Sequence, residues 1–432
     1  MSDVLVVSPD YASHYFPLSA VGDSLHRQGH TVSVATGRAL EQRVLADGFE
    51  HTRLVLGPGS NPGVIRAETQ SEEERTQLEA FFAATRAGMV ATLLHQARHR
   101  QRDLLFEPDR VAKDLIEILD RVAPDVVLVD QLAFGATAVL RGLGQRFVSF
   151  HPGHPSAISS ATPYGFPARL PSRIAVDTED LAELRRNCET VVARFTREYN
   201  EVVAGLGNDS GQVANPFAEG SPLLTLVNYP RALGRSYPLP PNSRLIGSAV
   251  RHHHSGPAVP PASDLPRVYV SLGSFFSARS DLLHKIVSAF RAQPVELVIA
   301  SGVTDPVALG PIPDHWTVEP YLPQPEVIST SDLVITHGGN NTVTESLTAG
   351  VPLLVAPLST DQFAAAADVE EGGVGGVFDP NNDDADTISE IAFEVLRSDA
   401  VVRSSWMGRS LQARPGQDRA ASLIAEMAGL AV

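Results

Sequence analysis

Between positions 321 and 362, glycines, hydroxyls, amides, carboxylates and a histidine alternate with short apolar runs, YLPQPEVISTSDLVITHGGNNTVTESLTAGVPLLVAPLSTDQ. An apolar run at 333–336 reads as a short buried strand that passes into His337-Gly338-Gly339, and a helix is expected to start near Asn341. Two glycines between a strand and a helix permit positive φ and let a ligand approach the backbone. The first amides of such a helix are unpaired donors at the positive end of its dipole, which suits a pyrophosphate. Thr342 and Glu345 stand one turn apart on one face, so a hydroxyl and a carboxylate address one ligand. A second apolar run, 352–356, ends before Asp361-Gln362. Each feature also has a plainer account. Thr342-x-x-Glu345 is a capping box, His337 a hydrogen-bonded histidine at a strand end, and Gly338-Gly339 an ordinary turn. The ordered set favours an anion-binding turn with sugar-binding groups around it.

That set resembles the nucleotide-sugar signature of GT-B fold glycosyltransferases, specifically the large inverting family of plant natural-product glucosyltransferases and bacterial macrolide glycosyltransferases. The family's opening aromatic-x-Pro-Gln is matched by Tyr321 to Gln324. Its His-x-Gly-x-Asn-Ser/Thr-x-x-Glu is matched by His337, Gly339, Asn341, Thr342 and Glu345, and its closing acidic residue plus Gln by Asp361-Gln362. The plant enzymes usually carry Trp where Tyr321 stands, with a slightly longer spacing to the histidine. This places the chain on the bacterial side and leaves UDP against TDP open. The resemblance implies that Tyr321 stacks on the base, Gln324 reads its edge and Glu345 binds the ribose hydroxyls. It implies that Gly339, Asn341, Thr342, Ser274 and His337 meet the pyrophosphate, and that Asp361 and Gln362 hold the transferred sugar. No metal and no cofactor are expected, the nucleotide sugar being a co-substrate. Asp383, Asp384 and Asp386 read as an acidic turn.

Glycosyl transfer also needs a base for the attacking nucleophile, and near neutral pH that is a histidine oriented by a carboxylate. His14 follows an apolar strand at 4–8, and Asp130 ends another at 126–129, so both fall at the carboxyl edge of one sheet. In the family the catalytic histidine lies in the first strand-to-helix loop and its aspartate at the end of a later strand. His14 in Ser13-His14-Tyr15-Phe16-Pro17 and Asp130 in VLVDQLAFGA match these positions, with Ser13 replacing the glycine that often precedes the histidine. The plain alternatives are a helix-start histidine without a role and an aspartate capping a helix from about Phe134.

Around these groups the chain alternates strand and helix. Runs at 4–8, 31–35, 126–129, 146–150 and 223–227 read as buried parallel strands. Leu18, Val21 and Leu25 repeat at helical spacing, with Pro17 suited to the first turn and His14 in the loop before it. Helices are expected over 71–107, 109–123 and 178–206, which makes residues 1–228 a doubly wound α/β domain. Residues 229–264, rich in proline, read as a linker. Within it, His252-His253-His254 is read as solvated chain rather than a metal site. A second Rossmann-like domain spans 265–400, and the resemblance implies that 401–432 crosses back onto the first. Gly57 to Gly63 lacks the Lys-Ser/Thr of a P-loop and reads as punctuation. The acceptor pocket is expected in the N-terminal domain, in the loops after 57 and 151, with His151 and His154 as candidate lining.

With 432 residues two cores are expected, and 43% hydrophobic and 19% charged residues are globular values. A net charge of −16 argues against nucleic acid and anionic membrane as partners. No apolar run approaches the roughly 18 residues that span a bilayer, the single cysteine excludes an internal disulfide, and MSDVLVVS reads directly into a strand, so a cytoplasmic enzyme is expected. The expected partners are a nucleotide sugar and a small-molecule acceptor, and a homodimer is compatible with the sequence. Competing readings are a nucleotide-sugar epimerase or hydrolase sharing the donor site, and a non-catalytic helper of a partner glycosyltransferase. The His14/Asp130 pair disfavours the first, and the intact Thr342, Glu345, Asp361 and Gln362 disfavour the second.

Overall fold

The short apolar runs pair exclusively in parallel. The computed structural model describes residues 2–61, 63, 72–99, 104–234, 236–250, 259, 261 and 263–429. Seven strands, β1 (Asp3–Val7), β2 (Thr31–Thr36), β3 (Glu50–Arg53), β4 (Val126–Asp130), β5 (Phe147–His151), β6 (Leu224–Val227) and β7 (Ser243–Leu245), build the first sheet. Its order is β3-β2-β1-β4-β5-β6-β7. A second sheet holds β8 (Arg267–Ser271), β9 (Glu296–Ala300), β10 (Thr317–Glu319), β11 (Leu333–Thr336), β12 (Leu353–Val355) and β13 (Gly375–Val377), ordered β10-β9-β8-β11-β12-β13. β4 is buried at every position, as a strand covered on both faces by helices must be. In both sheets the order reverses beside the first strand of the domain, which opens a crevice at the carboxyl edge. The two crevices face one another, and the predicted α/β, two-domain GT-B architecture is what the chain adopts.

Several boundaries differ from expectation for identifiable reasons. The first helix spans Ala12–Arg27, so His14 lies in its first turn rather than in a preceding loop, and Pro17 lies inside the helix. Pro17 has no N–H, which leaves the carbonyl of Ser13, four residues earlier, without its helical partner. Asn341 Nδ2 of the second domain donates to that carbonyl at 2.7 Å. β7 falls within the span expected as linker and joins the first sheet, pairing Thr225 with Ser243. His252, His253 and His254 lie outside the described residues.

The segment expected as one helix over 71–107 breaks at Gly88, whose φ of 115° suits glycine, into Glu72–Ala87 and Met89–His99. Phe81 and Phe82 leave the first domain's core altogether. They stack among Phe275 and Phe276 of the second, with Phe81 and Phe275 centroids 5.2 Å apart. Of the C-terminal helices, only the last crosses back. Gly416–Ala428 buries Ala420, Ala421 and Ile424 beside Val21 and Leu25, and Ser24 Oγ donates to Asp418 at 2.7 Å. Ala400–Gln412 stays with the second domain, where Gly408 abuts Gly350 so closely that a Cβ would lie 2.7 Å from its backbone. Cys188 is buried and takes part in no disulfide, and among the described residues no helix is long and apolar enough to cross a membrane.

Candidate active site

Adjacent strands β1 and β4 end side by side, Val7 registering with Val129, and this brings their loops together. His14 Nδ1 sits 2.9 Å from Asp130 Oδ2. Asp130 is fully buried and its other oxygen accepts from Leu132 N at 2.8 Å, so the carboxylate is held from two sides. It does not cap the Phe134–Gly142 helix, whose N-cap is Ala133 without a side-chain bond. Because a carboxylate accepts at Nδ1, the ring proton belongs there and Nε2 carries the lone pair. Burial opposes the imidazolium, but the charge and hydrogen bond of Asp130, with a contribution from Asp361, outweigh it and raise the His14 pKa above its ordinary value.

Facing this pair, β11 runs into Gly338, whose φ of 88° and close packing on Val355 admit no side chain. The next helix is Asn340–Ala349, capped by Gly339. Its first internal bond is Val343 N to Gly339 O at 3.1 Å, so the amides of Asn340, Asn341 and Thr342 precede the helical ladder. Thr342 is therefore inside the helix rather than at its cap, and the capping-box account does not describe it. Glu345 instead accepts from Gln324 Nε2 at 2.7 Å, and the same nitrogen lies 3.3 Å from Thr342 Oγ1. Gln324 Oε1 in turn accepts from the Tyr269 hydroxyl at 3.2 Å. Burial pushes the Tyr269 phenol well up, so it remains a donor.

His337 is wedged between Gly273 and Gly339, where added Cβ atoms would approach its ring to 2.8 and 2.5 Å. Burial lowers its pKa to about 4, against opposing pulls from Asp361 and the Ser271 backbone, so the ring is neutral. Asp361 Oδ1 accepts from Thr360 Oγ1 and Oδ2 from His154 N, each at 2.9 Å. Thr360 has φ 47°, a strained value for a β-branched residue, and it turns the loop so that Asp361 meets the first domain. Gln362 Oε1 takes the amides of Leu358 and Ser359 at 3.0 Å, which leaves Nε2 as the atom able to turn to a ligand.

One cleft of about 470 Å³ between the sheets is lined by His14, His151, Ser274, Tyr321, Gln324, His337, Gly339, Asn341, Thr342, Glu345, Asp361 and Gln362. Asp130 lies behind His14, outside the lining. His154 is the residue that the expectation misplaces. Its ring is buried away from the cleft because Nε2 is drawn 3.0 Å from Asp368, and only its backbone reaches the site. His151 Nε2 donates to the His154 carbonyl at 3.0 Å, and burial lowers its pKa.

Three further residues escaped the sequence reading. Asn61, in the loop taken as punctuation, donates to Ser274 Oγ at 3.0 Å across the domains. Asn340 donates to the carbonyls of Pro152 and Asn228. Tyr269 orients Gln324 from a strand interior, a place where an aromatic residue ordinarily signals packing alone. The Asn-rich start of the helix was a visible signal for Asn340; the others had none. Phe16, Leu132, Tyr164 and Phe166, which also line the cleft, give it apolar surface.

Residues 260–399 match the family described as UDP-glucoronosyl and UDP-glucosyl transferase. The chain is 32% identical over 164 residues to the NDP-glycosyltransferase YjiC of Bacillus licheniformis, an alignment spanning 38% of this chain and 41% of that one. It is 26% identical over 390 residues to a zeaxanthin glucosyltransferase of Pseudescherichia vulneris, covering 87% and 86% of the two chains. A solved structure described as the glycotransferase of kitacinnamycin superposes with a TM-score of 0.70 at 23% identity, covering 99% of this chain and 98% of that one. The fold likeness thus runs the full chain, and the similarity to the named family lies over residues 260–399, which carry the signature.

Proposed function

We propose that this GT-B chain is an inverting glycosyltransferase that moves a sugar from a UDP- or TDP-sugar to a hydroxyl, or another nucleophile, of a small-molecule natural product without a metal. The observation that carries it is the pair His14–Asp130 standing across one cleft from the 321–362 turn. His14 Nε2 takes the proton of the attacking acceptor oxygen as that oxygen bonds to the sugar's anomeric carbon. The bond from that carbon to the phosphate oxygen breaks on the opposite face, so the configuration inverts, and the nucleoside diphosphate leaves with the electron pair. Asp130 holds the Nδ1 proton and stabilises the imidazolium that forms.

The departing charge is met by the amides of Asn340, Asn341 and Thr342 and by the neutral His337, aligned before the reaction and desolvated with it. Asp361 and Gln362 address the sugar hydroxyls, Glu345 the ribose and Tyr321 the base. The apolar surface of the cleft fits a ring-bearing acceptor. The relatives named for zeaxanthin and the structure named for kitacinnamycin support a natural-product acceptor by likeness. Turnover is expected to persist in EDTA with the product anomer opposite to the donor's; strict dependence on Mg²⁺ or retention of configuration would overturn the mechanism.

A further inference from the structure

Asp368 is a buried carboxylate to which the chemistry above gives no task. It lies on the helix Gln362–Glu371, two turns beyond the Asp361 that caps the same helix. Four donors reach it. His154 Nε2 and the Tyr229 hydroxyl each lie 3.0 Å from Oδ2, while Arg169 Nη1 at 3.0 Å and the Tyr237 hydroxyl at 2.8 Å meet Oδ1. Every donor comes from the N-terminal side of the cleft. Two donors on each oxygen satisfy the carboxylate inside the protein, where an unpartnered one would be very costly.

His154 is bound in a way that general adhesion between domains does not require. Its Nδ1 accepts from Ser156 N at 3.2 Å, so the proton resides on Nε2 and is given to Asp368. The backbone N–H of the same residue donates to Asp361 Oδ2 at 2.9 Å. Gly153 precedes it, and a Cβ there would stand 3.3 Å from that oxygen, so the loop lies flat against the carboxylate. One residue of the first domain therefore grips one helix of the second at two carboxylates. Arg169 and Tyr237 hold the opposite oxygen of Asp368 and do not bond Asp361.

Resting on the reading of Asp361 as a sugar ligand, we infer that Asp368 is a positioning residue: through His154 it fixes where Asp361 stands in the closed cleft, and so governs the grip on the transferred sugar but not on the nucleotide.

The test uses the full chain and its variants H154A, H154Q and R169A. Affinities for UDP and UDP-glucose, and for TDP and TDP-glucose, are measured by calorimetry. Amide hydrogen exchange is followed at Gln362 and Ala365, whose N–H groups bond Ser359 O and Asp361 O. H154A is expected to lower the extra affinity conferred by the sugar about tenfold, the effect of one hydrogen bond to a charged group, while nucleotide affinity stays within about twofold. Exchange at Gln362 and Ala365 should quicken. H154Q, whose amide nitrogen can replace Nε2, should restore both, and R169A should move neither. D368N, closer in size to the native side chain, is expected to act in the direction of H154A and serves if that variant does not fold. Equal losses of UDP and UDP-glucose affinity in H154A and R169A, with exchange unchanged, would show that Asp368 only joins the domains and overturn the inference. If the wild-type protein binds neither sugar nucleotide more tightly than its nucleotide, the sugar-site reading fails instead. The exchange comparison then still decides whether the grip on Asp361 exists.

Discussion

The proposed mechanism turns, at the residue level, on the placement of one proton: with Nδ1 of His14 committed to Asp130, Nε2 is the atom proposed to accept from an acceptor hydroxyl. His14 must be neutral to do so, and its raised pKa means that activity should climb with pH through a value above 6.5. Asp130→Asn removes the anion that raises this pKa and leaves the burial that lowers it. The acid limb of kcat/KM is therefore expected to move to lower pH while kcat falls on the order of 10²-fold. A limb that stays in place would show that Asp130 does not set the protonation of the base. The pair and the signature were legible in the sequence because each position demands a residue type at a fixed place in a strand-to-helix turn. Asn61, Tyr269 and Asp368 were not, because their partners stand far away in the chain: 213 residues separate Asn61 from Ser274, and Asp368 meets His154 across 214. No local pattern records such a meeting. His154 misled for the same reason, since a histidine beside Pro and Gly looks like loop lining until Asp368 arrives to bury it.

Among the elements, the two helices that face each other across the cleft are joined through what one of them lacks. Pro17 cannot donate to Ser13 O, and Asn341 Nδ2 occupies that carbonyl from the opposite domain. Pro17→Ala supplies a competing N–H. It is expected to weaken UDP or TDP binding severalfold, and Asn341→Ala is expected to cost less in that background than in the wild-type protein. A double-mutant cycle on nucleotide affinity measures this; strictly additive losses would show that the two residues act independently. Strand positions were readable to within one or two residues because β1, β4 and β11 are short apolar runs with no competing helical period. The start of the first helix was misjudged because proline normally marks a first turn, and here its missing bond serves a contact that only the folded molecule contains.

For the molecule as a whole, the alternation of strand and helix foretold doubly wound α/β sheets and the family resemblance that two of them face one another, but the way the halves interlock was hidden. Phe81 and Phe82 belong to the first half by sequence and to the core of the second by packing. The helix Gly416–Ala428 returns the chain to the first sheet, while Ala400–Gln412 does not. Burial in both cases is chosen by a partner surface rather than by the segment's own periodicity. The interlock brings the two crevices into one space and so makes a transfer reaction, rather than nucleotide binding alone, the natural use of the cleft. The most direct test is release of nucleoside diphosphate from UDP-glucose and TDP-glucose, with and without a panel of phenolic and polyketide acceptors, by the wild-type protein and by His14→Ala. Release is expected to depend on an acceptor, to yield a glycosylated product and to drop by about 10² to 10⁴-fold in the variant. Release that is indifferent to every acceptor, or that survives the loss of His14, would contradict the proposed mechanism.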